Sequence, residues 1–138
     1  MRGGRRGLFL PSNWQALPGP VRIPEGASDV LALAFIGIPC VGRPSAMAGA
    51  DMLADLLRNE DRPIVVIGEN DAKPDGRWPG REGALWMQTR LGELLPGRAV
   101  SMKLPPPEHK DATSMQWQTP TAIDFRFGFE ITLYVAAR

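Results

Sequence analysis

The chain has one cysteine, one histidine and one tyrosine among 138 residues, and no excess of either charge. A lone Cys40 cannot close an internal disulfide or build a thiolate zinc site by itself. The formal net charge of +1 excludes a histone-like polycation, and it excludes a highly charged disordered chain. The longest apolar stretch, Val30 to Ile38, falls far short of the ~20 residues that cross a bilayer. No apolar signal core follows the Arg/Gly-rich start from Met1 to Gly7. These absences point to a soluble, cytoplasmic protein.

What is abundant is backbone punctuation: 15 glycines and 14 prolines, with 43% apolar and 22% charged residues. That balance fits one folded domain with stiff, proline-bearing loops. Residues 1–20 read as a flexible N-terminal segment around an apolar island, Leu8-Phe9-Leu10, suited to an edge strand. From Val21 short strands and helices alternate, as in stacked α/β units on a parallel sheet. Val21–Ile23 is a strand, and Ser28 is placed to cap a helix over Asp29–Phe35 that Gly37 closes. Pro39–Val41 is a second strand. Gly49–Asn59 is a helix, with Met52, Leu53, Leu56 and Leu57 on one face. Pro63–Ile67 holds the β-branched run Ile64-Val65-Val66-Ile67, suited to a strand covered on both faces. Arg81–Leu95 is a third helix, with Ala84, Leu85, Leu91, Leu94 and Leu95 at or near its buried side and Trp86 in the core. Ala99–Leu104 is a fourth strand. His109 to Gln118 is short helix or irregular chain, and the alternating tail from Ile123 to Ala137 reads as a strand or hairpin.

Ligands of parallel α/β sheets bind beyond the carboxyl ends of the strands. The acids cluster at those positions: Glu25 after the first strand, Asp29 one turn later, and Glu69, Asp71 and Asp75 in the long polar connection Gly68–Gly80. Converging carboxylates repel unless a cation joins them, and hard oxygen ligands favour Mg²⁺ or Mn²⁺. Arg43, Lys73, Arg77, Arg81 and Lys110 border the same edge and suit phosphate oxygens. Trp14, Trp78 and Trp117 lie in expected loops, where they could stack on unpaired bases. Cys40 reads as a small buried hydrophobe.

Glu25-Gly26-x-x-Asp29, the turn Gly42-Arg43-Pro44-Ser45, Glu69-Asn70-Asp71 and the later Lys110-Asp111 together resemble a Toprim domain, nearest to the Toprim module of phage, plasmid and bacterial DNA primases. The resemblance covers roughly residues 21–115. It implies a four-stranded, mainly parallel sheet flanked by helices over residues 21–118, with residues 119–138 as an extra C-terminal strand or hairpin. It also implies Mg²⁺-dependent nucleotidyl transfer during DNA replication. Glu25 would be the catalytic acid/base, Glu69 and Asp71 the metal pair assisted by Asp75, and Arg43, Lys73, Arg77, Arg81 and Lys110 the phosphate contacts. The implied partners are a DNA template, nucleoside triphosphates and a helicase or other replication protein. Position 69 departs from the family pattern, being Glu rather than Asp. The alternatives are a non-catalytic nucleic-acid-binding or assembly module, and a metal-dependent nuclease. The chain carries no cysteine-rich zinc module and no Gly-x-x-x-x-Gly-Lys-Ser/Thr loop, so a primase module of this size would work with partner domains.

Overall fold

A computed structural model describes residues 7–111 and the backbone of residues 131–134. In chain order the described elements are β1 (Leu8–Pro11), β2 (Val21–Ile23), α1 (Gly26–Phe35), α2 (Ala50–Leu57), β3 (Ile64–Ile67), α3 (Pro79–Leu94), β4 (Val100–Lys103) and β5 (Ile131–Tyr134). β2, β3 and β4 form a parallel sheet in the order β2-β3-β4, and β1 pairs antiparallel with β5. The architecture is therefore α/β, with a three-stranded parallel sheet where four strands were expected.

The missing strand is the Pro39–Val41 segment. Its backbone is divided between two neighbours: Arg22 N–H donates to the Pro39 carbonyl and Val41 N–H to the Arg22 carbonyl, while Gly42 exchanges both bonds with Phe9. Single bridges at Cys40, Gly42 and Arg43 replace a ladder. They also join the two sheets, so β1 and β5 continue outward from β2 across residues 39–43.

Side-chain alternation decides which face is filled. Register aligns Val21, Ile64 and Val100, and then Ile23, Val66 and Met102. These residues meet one core cluster together with Leu53 and Leu57 of α2 and Met87 and Leu91 of α3. Ala50, Leu53, Ala54 and Leu57 recur at helical spacing and are all buried. Full burial of a leucine contributes roughly 1.5–3 kcal/mol. α1 packs instead on β1 through a smaller cluster of Val30, Leu33, Ala34 and Cys40, with Phe9 against it.

Several boundaries moved for identifiable reasons. α1 begins at Gly26, three residues before the expected start, because the Gly26 N–H is satisfied by the Arg43 carbonyl at 2.9 Å and needs no Ser28 cap. Gly37 closes α1 as expected, in a left-handed turn with its N–H on the Ala34 carbonyl. α3 begins two residues early because Pro79 occupies the first turn, where its missing N–H costs nothing. Leu85 and Trp86, expected inside, are 48% and 38% exposed; the stripe facing the core runs through Ala84, Met87 and Leu91.

Residues 8–20, part of the stretch read from sequence as flexible, are fastened to the body. Leu8 is fully buried, and Trp14 is only 5% exposed within the main cluster. Arg62 lies 5.6 Å over the Trp14 ring, donates to the Leu17 carbonyl at 2.7 Å and pairs with Glu60. Trp14 thus serves the core and is closed to base stacking. Trp117 lies outside the described residues, as do His109–Gln118 beyond residue 111 and all of the expected tail strand except β5. Among the described residues no helix is long and apolar enough to cross a membrane.

Candidate functional site

The carboxyl ends of β2 and β3 carry the groups singled out by their order in the sequence, and one side chain organises them. Arg43 is fully buried. Its guanidinium donates to the Ile23 carbonyl at 2.5 Å, to the Ile67 carbonyl at 3.1 Å and to the Ala46 carbonyl at 3.3 Å. Ile23 and Ile67 are the last residues of β2 and β3, where the ladder ends and carbonyls need other donors. The planar fork spans both strand ends at once, which the point charge of a lysine does not do. Burial draws the guanidinium pKa down, and Glu25, Glu69 and Asp29 oppose that pull. Arg43 is therefore engaged in the fold and not presented to an outside phosphate.

Glu25 and Glu69 lie near enough to each other and to this arginine to interact electrostatically. Burial pushes the Glu69 carboxyl above the usual carboxylate range; the charge of Glu25 pushes the same way, Lys110 pulls it down, and Asp29 and Asp111 push it up more weakly. Glu25 precedes α1, its extended backbone (φ −96°, ψ 126°) bridging to Arg43. Lys110 reaches the rim because its carbonyl accepts the Asn70 N–H, and the Asn70 amide donates to the carbonyls of Pro105, Pro106 and His109. Sequence reading passed over Asn70. The signal was there: three consecutive prolines expose carbonyls with no N–H of their own, and a nearby side-chain amide is the natural donor.

The other expected ligands are occupied elsewhere. Asp71 Oδ1 accepts the Gly80 N–H at 2.7 Å, satisfying a free donor at the start of α3 where a negative charge also suits the helix dipole. Gly80 permits this approach, because an added Cβ would lie 2.8 Å from that oxygen and 2.7 Å from Glu69 Cβ. Asp75 sits in an exposed turn and accepts both the backbone N–H and the guanidinium of Arg77, at 3.0 and 2.8 Å; these bonds hold its carboxyl below the usual range. Lys73 belongs to the same turn, its N–H on the Arg77 carbonyl. Arg81 stacks over Trp78, 5.1 Å from the ring centroid. Among the described residues no group of three or more His, Cys, Asp or Glu is placed to hold a metal ion. Glu69, Asp71 and Asp75, the expected Mg²⁺ or Mn²⁺ ligands, are not gathered into such a group. The rim is an acid-rich clasp in which the buried Arg43 closes two strand ends.

Comparison with known proteins places the recognisable part elsewhere. The family model of the PqqA family matches residues 116–134. Coenzyme PQQ synthesis protein A of Variovorax paradoxus (strain S110) is 75% identical over 24 residues, which are 17% of this chain and 100% of that protein. The chain belongs to the PqqA family through this C-terminal segment. No solved structure matches it.

These matches overturn the Toprim resemblance and what it implied: primase-type nucleotidyl transfer, DNA replication, the nuclease and nucleic-acid-binding alternatives, and a DNA template, nucleoside triphosphates or a helicase as partners. The structure supplies physical reasons. Arg43 faces inward, Trp14 is closed off, and Asp71 and Asp75 each have another partner.

Proposed function

We propose that residues 116–134 are the functional core of this chain, a precursor-type peptide on which the enzymes of coenzyme PQQ synthesis act, and that the α/β body carries it. The observation behind this reading is the length of the curated relative: the 24 matched residues are the whole of that protein. A chain below about 40 residues cannot bury enough surface to fold alone without disulfides, metal or a partner. The segment 116–134 contains no cysteine. A peptide of that size has no pocket in which to catalyse, so its part in a synthesis is to be bound and chemically altered by other proteins.

The test is restoration of PQQ production in a bacterium deleted for its own peptide of this family. The full chain is expected to restore the coenzyme, and a chain ending at residue 114 is expected to fail. Restoration by neither the full chain nor a free peptide of residues 115–138 would refute the reading. Restoration by the free peptide alone would keep the segment's role and remove the body's.

A further inference from the structure

We infer that β1 is an internal docking strand for the PqqA-type segment, holding its end, Ile131–Tyr134, as an added edge strand. This rests on the segment being the part that other enzymes act on. The pairing is antiparallel, with Leu8 opposite Tyr134, Phe9 opposite Leu133, Leu10 opposite Thr132 and Pro11 opposite Ile131. β1 is packed against the body on both faces. Leu8 is fully buried in the main cluster, Leu10 packs against that cluster, and Phe9 packs against the second one with α1.

The backbone of β1 is directed to both sides. Phe9 exchanges hydrogen bonds of 2.9 and 2.8 Å with Gly42, so that residue faces the body. Strand alternation then turns the N–H and C=O groups of Leu8 and Leu10 outward, toward Tyr134 and Thr132. Without β5 those groups would form an open edge on a strand anchored at both faces, a ready template for an extended peptide. Gly42 maintains the geometry: a Cβ there would overlap Val30 Cγ2 and lie 3.1 Å from Phe9 Cβ, pushing β1 off the body. Recognition is through the main chain, as in β-strand addition. An enzyme that reads residues 131–134 must first lift them from β1.

Hydrogen exchange on the full-length chain tests this without any PQQ chemistry, so docking and the PQQ reading can fail separately. The amides of Thr132 and Tyr134 are expected to exchange about tenfold or more slowly than in a free peptide of residues 115–138. Leu10→Pro, which deletes an outward donor, is expected to abolish that protection while Ile64–Ile67 stay protected. Thr132→Pro leaves β1 untouched and is expected to release Tyr134 equally, which covers the case in which Leu10→Pro fails to fold. Exchange at Thr132 and Tyr134 equal to that of the free peptide, or protection of Tyr134 that survives Thr132→Pro, would overturn the inference.

Discussion

Replacing Arg43 with Met isolates the energetic role of the clasp. Methionine has a similar reach but donates nothing, so the carbonyls of Ile23, Ala46 and Ile67 lose their guanidinium donor together. The buried Ile23 carbonyl left without its bond costs roughly 1–3 kcal/mol, and the part-buried Ala46 and Ile67 carbonyls less. Some of that returns through relaxation and through the desolvation that a buried cation no longer incurs. A net loss of about 4 kcal/mol is expected. For a domain of this size that lowers Tm by on the order of 10–20 °C. The change is measured by thermal and urea unfolding followed by circular dichroism, with an unchanged urea slope showing that the two-state comparison holds.

Acid adds an internal control. Arg43 offsets Glu25, Glu69 and Asp29, so its removal leaves those carboxylates repelling one another at pH 7. Glu69 already has a raised pKa in the folded state, so ionisation works against folding as pH rises from the ordinary carboxylate value through the raised one. The Arg43→Met deficit should therefore shrink as Glu69 takes up its proton, which its raised pKa places above the ordinary carboxylate value. A loss under about 1 kcal/mol at pH 7, or a deficit that grows on acidification, would refute the clasp as the fastening of the two strand ends.

Two further outcomes follow from single contacts. Asp71→Ala removes the acceptor for the Gly80 N–H and is expected to cost ~0.5–2 kcal/mol in urea unfolding, the range for a lost helix cap; no change would assign Asp71 to something other than holding α3. Cys40 is fully buried, and burial pushes its thiol up to about 12, so alkylation at pH 8 should be roughly a thousandfold slower in the folded chain than in urea; equal rates would place Cys40 outside the core.

Local pattern determined the elements. The β-branched Ile64–Ile67 run reads as a covered strand and the leucine spacing of α2 as an amphipathic helix, and both form as read, because the signals are carried by near neighbours in the chain. The shared edge at the carboxyl ends of β2 and β3 was legible too, since parallel strands bring those ends together. The chemistry assigned to that edge was not. A buried arginine and a phosphate-binding arginine are the same letter, and only the fold shows Arg43 turned onto the ends of β2 and β3. Trp14 differs from an exposed aromatic only by the core that closes over it. The split pairing of residues 39–43 and the meeting of β1 with β5 join segments far apart in the chain, and nothing in either segment alone names its partner. Sequence by itself also carries the match of the segment 116–134 to the PqqA family, a mark of residue order that its apolar alternation, read only as a strand or hairpin, does not disclose. Tertiary structure alone decided which strand lies against its end, because hydrogen bonding between strands is blind to side-chain identity and depends on which edge the packed core leaves open.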